Sequence, residues 1–160
     1  MQFVRFIIST LILLFLFSSC SKRAEDIKLN LVLSSWDRVI DKDPGLVSDS
    51  LKTLAIYNMN RPNRAYYNLL KVISDDKTYV DFTSDSLINL ATDYYKTHDP
   101  KNPNLIRALA YQGIVRTRMG IMDSTVYEPL REAESLFNAS VNPNPSLGYL
   151  INYFLGNINY

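Results

Sequence analysis

Few residues in this chain have the type and spacing that chemistry needs. The single histidine, His98, stands in His98-Asp99-Pro100 with no cysteine and no spaced carboxylate pair nearby to share a metal ion. Ser, His and Asp all occur, but no Gly-x-Ser-x-Gly turn presents a nucleophile and no glycine-rich loop cradles phosphate. Cys20 is the only cysteine, which excludes a disulfide within the chain. These absences point away from an enzyme and give no reason to expect a cofactor or a metal. What remains is recognition chemistry: the Tyr66-Tyr67 and Tyr94-Tyr95 pairs, able to stack on a sugar or peptide or to pack a core, and arginines able to hold a carboxylate through two parallel hydrogen bonds.

The elements that must position these groups are helices. From Ile27 onward the apolar residues recur at helical spacing with no strand alternation, so the fold class is all-α. Leu29, Leu33, Trp36, Val39 and Ile40 share one face, and Asp43-Pro44-Gly45 is expected to end that helix. A second segment is expected to open at Ser48-Asp49-Ser50 and stop near Asn60-Arg61-Pro62-Asn63, and a third to run from about Arg64 to Ile73. Thr78-Tyr79-Val80-Asp81-Phe82 lacks a partner strand and reads as a loop. A fourth helix follows Thr83-Ser84-Asp85-Ser86, a fifth ends near Met119, a sixth spans Ser124 to Asn138, and a seventh starts after Ser146. The pairs Asp49-Ser50, Asp85-Ser86 and Asp123-Ser124 read as helix caps. They also resemble a short O-glycosylation acceptor motif of some exported bacterial proteins.

Ahead of this body, Arg5 precedes an uncharged stretch from Phe6 to Ser19, which reads as a cleavable export signal. That stretch is shorter than the roughly 20 residues a membrane span needs. Phe17-Ser18-Ser19-Cys20 resembles a lipobox, with Phe17 where Leu is usual. The resemblance implies acylation of Cys20 (palmitate or a similar chain), cleavage just before it, and a lipoprotein anchored to a membrane on the periplasmic or cell-surface side. Residues 1–19 are then the signal peptide, 20–26 a lipidated polar tether and 27–160 the helical domain. Of 17 basic and 16 acidic side chains, cleavage removes Arg5 alone, so the mature charges balance. With no basic excess, binding of nucleic acid by these residues is not expected.

An internal repeat organises the body. Arg64-Ala65-Tyr66-Tyr67-Asn68-Leu69-Leu70 aligns with Arg107-Ala108-Leu109-Ala110-Tyr111-Gln112-Gly113 at an offset of 43, and Leu150-Ile151-Asn152-Tyr153-Phe154-Leu155-Gly156 lies a further 43 on. At the same offset Leu87 meets Leu130, Leu90 meets Ala133 and Tyr94 meets Phe137, so the unit is a helical hairpin stacked on its neighbour. Ala110-Tyr111-Gln112-Gly113, then Gly120, then Ala133 look like the Gly, Gly and Ala positions of a tetratricopeptide repeat, and Leu155-Gly156 looks like the start of another. The unit is longer than the usual ~34 residues. With the lipobox, the arrangement resembles the N-terminal part of exported tetratricopeptide-like regulators, where a helical sensor array precedes a transmembrane helix and a helix-turn-helix domain.

The resemblance implies a short solenoid of antiparallel hairpins with Leu70, Gly113, Gly120, Ala133 and Gly156 at structural positions. Its groove would be lined by Arg64, Tyr67, Lys71, Arg107, Thr117 and Arg118, suited to an acidic peptide or terminal carboxylate. The expected function is a membrane-anchored scaffold for a protein or peptide, in its specific form the sensor segment of a longer regulator. The rival expectation is an outer-membrane lipoprotein that binds a glycan or small molecule, as helical glycan-binding lipoproteins do. A long basic groove would favour the first and one deep aromatic pocket the second. The seventh helix has no second helix after it, so the domain is expected to be truncated at Tyr160 and to self-associate through that helix.

Overall fold

The structure, a computed structural model, describes residues 22–158, and these are all-α with no strand among them. The signal peptide, Cys20 and Tyr160 lie outside the described residues. Residues 22–37 form α1, so the stretch before Ile27, expected as tether, is helical from residue 22, and the Asp26 carbonyl accepts a hydrogen bond from Asn63 at 2.8 Å. No helix among the described residues is long and apolar enough to cross a membrane.

α2 spans Pro44–Lys52, ahead of the expected start. Asp43-Pro44-Gly45 opens this helix and does not simply end the previous one. Asp43 accepts from the Leu46 N–H at 2.9 Å, and Pro44 occupies the first turn, where its missing N–H costs nothing. Asp49 and Ser50 consequently sit inside α2, where Asp49 pairs with Lys52 and Ser50 donates to the Leu46 carbonyl. After a short 3-10 turn at Ile56–Asn58 come α3 (Arg61–Lys77), α4 (Ser86–His98), α5 (Asn104–Arg118), α6 (Ser124–Asn138) and α7 (Pro145–Ile158).

Each of these later helices packs on its predecessor, while α3 also touches α5 and α5 touches α7, so the first helices of successive hairpins lie side by side. The hairpins begin alike. Asn60, Asn102 and Asn144, evenly spaced, each accept through Oδ1 from a backbone N–H two or three residues on, satisfying a donor the helix start leaves free. They also end alike. After α5, Gly120 takes the left-handed conformation at φ 78, its N–H bonding Thr117 O while the Ile121 N–H bonds Arg116 O. After α3, Tyr79 adopts φ 58 with the same pair of bonds, to Asp76 and Asp75.

Burial corrects the register of the repeat. Leu87 is 38% and Leu90 58% exposed, whereas Ile88 and Ala91 are fully buried like Leu130 and Ala133. The second helices therefore match at an offset of 42. In the first helices the buried runs 67–70 and 72–75 of α3 begin opposite the runs 108–111 and 113–115 of α5 at an offset of 41, which also pairs Tyr79 with Gly120. Leu70 thus corresponds to Tyr111, and Val72 to Gly113. One residue turns a helix face by about 100°, so identity of type at 43 was outweighed by which residues face the neighbour.

A single core runs through the stack, from Leu33 and Ile40 at one end through Leu69, Ile73, Leu109 and Leu130 to Ile151 and Phe154. Within α6, Pro129 has no N–H to offer the Thr125 carbonyl four residues back. Arg116 of α5 takes that place, donating from Nη1 at 2.7 Å, and its other nitrogens reach Asp85 at 2.7 Å and Asn89 at 3.1 Å.

Candidate functional site

The six expected groove residues do not share one open face. Tyr67 is buried in the core. Lys71 is held by both carboxylate oxygens of Asp75, at 2.6 and 2.5 Å. The Thr117 hydroxyl turns back on its own helix to the Gly113 carbonyl, and Arg118 pairs with Asp76 at 3.0 Å while lying over the Phe154 ring. Arg64 is exposed beside α4 and donates to the Ile56 carbonyl at 2.8 Å. Three of the four cations are thus neutralised by carboxylates of the same chain, and no continuous basic groove forms.

The third of these pairs explains what Arg107 does. Its Nη1 and Nη2 each lie 2.7 Å from an oxygen of Asp37, at the end of α1, and the Tyr66 hydroxyl donates to the same carboxylate at 2.6 Å. An arginine on α5 therefore clasps a carboxylate in the two-pronged way expected of a ligand contact, but the carboxylate belongs to the chain. Burial works against the charged form of Asp37, yet the Arg107 hydrogen bond and charge and the Tyr66 hydrogen bond outweigh it, holding this carboxyl below its usual value. Burial together with the Asp37 contact pushes the Tyr66 hydroxyl well up.

Beside this clasp the end of α1 and the faces of α3, α5 and α7 enclose a cleft of about 350 Å³. Arg107 and Tyr111 line its floor, and Arg38 and Tyr149 its rim. Tyr111 is only 4% exposed, and its hydroxyl makes no hydrogen bond among the described residues. Burial raises its pKa, so it stays a neutral donor. Arg38 is exposed and has no carboxylate partner among the described residues.

A second cleft, about 270 Å³, lies between α3 and α4 and is lined by Arg61, Arg64, Asn68, Leu90, Asp93 and Tyr94, with Thr97 and His98 at its end. His98 stacks on Tyr94 with ring centroids 5.1 Å apart. Tyr95, by contrast, faces inward, its hydroxyl pushed up to about 12 by burial. Among the described residues no group of three or more His, Cys, Asp or Glu could hold a metal ion.

The expected structural positions separate into different roles. A Cβ on Gly113 would come within 2.5 Å of Leu130 Cγ and 2.9 Å of the Val126 carbonyl oxygen, so glycine permits the close approach of α5 and α6. Ala133 and Leu70 are fully buried. Gly120 has open space around it and serves the turn instead. A Cβ on Gly156 would also have nothing within 4 Å among the described residues, and none of their helices approaches it as α6 approaches Gly113. Of the Asp-Ser pairs, Asp123 caps α6 through the Thr125 N–H. Asp85 makes no cap bond; Ser84 accepts from Ser86 N–H, and Asp85 serves Arg116.

Sequence reasoning overlooked Asp37, Arg116 and Asn68. For Arg116 a signal existed, since a proline inside a helix leaves a carbonyl that needs a donor. For Asp37, on the polar side of the first helix, no local pattern announces a partner seventy residues away. No protein-family model, no curated protein and no solved structure matches the chain.

Proposed function

We propose that this chain is a membrane-anchored scaffold of helical hairpins, tethered through Cys20, whose cleft between α1, α3, α5 and α7 receives a segment of another protein. The observation that carries this reading is Tyr111, a residue only 4% exposed whose hydroxyl opens into the cleft with no hydrogen bond among the described residues, below a rim that offers the exposed ring of Tyr149 and Arg38, which has no carboxylate partner among them. A peptide strand supplies what such a cleft lacks: a backbone carbonyl for the tyrosine O–H, an acidic side chain for Arg38 and apolar area for Tyr149. Tetratricopeptide-like stacking and a sensor role ahead of further domains are the specific forms of the same proposal. They are supported by the side-by-side first helices and the glycine contact at Gly113.

A photo-crosslinking amino acid placed at Tyr149, and in a separate protein at exposed Met122 outside the cleft, tests the reading in cells that make the lipidated protein. A discrete crosslinked polypeptide from position 149, absent from 122 and lost on Tyr111→Phe, is the expected result. Equal crosslinking from both positions, or none from 149, would refute a cleft-directed scaffold.

A further inference from the structure

The cleft between α3 and α4 has a polar side chain that no other side chain or backbone group engages among the described residues. Asn68 is only 3% exposed, yet its side-chain amide makes no hydrogen bond among the described residues. It is not among the side-chain atoms sealed from solvent without a partner, so the little surface it keeps opens into the cleft it lines. Facing the cleft without a protein partner, the amide keeps its N–H donors and its oxygen for whatever fills the space. A ligand with hydroxyl groups can use both.

The walls define that ligand's chemistry. Arg61 and Arg64, on successive turns of α3, have no carboxylate partner among the described residues, although the arginines of the later helices all do. They call for an anionic group. Across from them the Asp93 carboxylate is likewise without a hydrogen bond among the described residues. It would repel a bare anion and needs a donor such as a hydroxyl. Leu90, 58% exposed, offers an apolar wall against which the C–H face of a ring can rest. At about 270 Å³ the space lies at the lower edge of small-molecule sites, which run from roughly 300 to 1,000 Å³. It suits one ring and not an extended peptide.

We propose that this cleft binds a compact hydroxylated carboxylate, a uronic acid unit being the simplest example. Arg61 and Arg64 take the carboxylate, Asn68 and Asp93 the ring hydroxyls, and Leu90 the apolar face. This site is separate from the scaffold cleft, and either can fail without the other.

Glucuronate, glucose and inorganic phosphate titrated into the isotope-labelled mature protein, followed by the amide resonances of α3 and α4, test the proposal. Saturable shifts with glucuronate are expected, with glucose and phosphate each at least tenfold weaker. Asn68→Ala and, independently, the exposed Arg64→Gln should each weaken glucuronate at least tenfold while leaving the spectrum of α6 and α7 unchanged. If Asn68→Ala fails to fold, Arg64→Gln carries the test alone. Phosphate binding as tightly as glucuronate would reduce the cleft to an anion patch, glucose binding as tightly would remove the arginines from recognition, and absence of saturation with glucuronate would overturn the site.

Discussion

Asp37 holds together groups from three helices, and its loss leaves a charge stranded. Removing one partner of a buried pair costs roughly 3–5 kcal/mol. Since Arg107 and Asp37 keep about a fifth of their side-chain surface exposed, Asp37→Ala should lower stability by a smaller amount, about 2–3 kcal/mol, read by urea denaturation. The same carboxylate links stability to pH. Its folded pKa is depressed, so its contribution is complete above the unfolded value of about 3.9 and is lost as pH falls through the lower folded value. Acid unfolding of Asp37→Asn should therefore be less steep below about pH 4 than that of the parent, with Asp85, also depressed, supplying part of the remaining slope. Tyr79 presents the opposite case, a residue the fold would do better without. Its left-handed backbone costs an L-residue roughly 1–2 kcal/mol, and its ring, 90% exposed, returns little packing. Tyr79→Gly should raise stability by about 0.5–1 kcal/mol, and Gly120→Ala should lower it by about 1 kcal/mol. A loss in Tyr79→Gly would mean that the ring packs more than its exposure indicates.

Between elements, two glycines of similar sequence setting should respond in opposite directions. At Gly113 a side chain meets Leu130 and the Val126 backbone, which cannot yield as a flexible side chain does. Gly113→Leu should cost roughly 1–3 kcal/mol through overpacking. At Gly156 a Cβ meets nothing, so Gly156→Ala should gain up to about 1 kcal/mol from helix propensity alone. Thermal or urea midpoints of the two variants give the signs directly. Destabilisation at Gly156 would show that some element covers α7 there.

For the whole molecule, the proposed anchor and the last helix are the features with consequences in the cell and in solution. Cys20→Ala should abolish incorporation of a labelled fatty acid and the processing cut that depends on it, and equal label in parent and variant would rule out the lipoprotein reading. Along α7, Ile151, Phe154 and Leu155 are buried against the stack, while Tyr149 and Tyr153 stand exposed with their rings stacked on each other. Aromatic surface of this kind promotes association. Tyr149→Ser with Tyr153→Ser should shift a version of the chain begun at Ser21 toward monomer in sedimentation velocity; an unchanged distribution would place any self-association elsewhere. Because α7 is docked, fast hydrogen exchange is expected only around Gly156 and Asn157 and not from Gly148, where α7 packs against Phe137.

The all-helical class and the order of helices were legible in the sequence because apolar periodicity and breaker clusters are local properties of the chain. So was the close approach at Gly113, through its place at the Gly position of the repeat signature, although Gly156, matched to it at the same offset, meets no such contact among the described residues. Helix starts were less legible: Asp43-Pro44 looks like a stop but acts as a start, because in the first turn the missing N–H of proline costs nothing, whereas in a helix interior, as at Pro129, a carbonyl is left needing another donor. The register of the hairpins was misplaced by one or two residues, since matching residue types does not reveal which face a neighbour covers. The candidate site was least legible. A sequence shows that Arg107 and Arg118 are cations, but whether they are free depends on where Asp37 and Asp76 are brought, whereas Lys71 and Asp75, four residues apart on α3, meet within one helix. Charges separated by up to seventy residues are paired only by tertiary packing, and the same packing left Asn68 and Tyr111 facing clefts with no hydrogen-bond partner among the described residues.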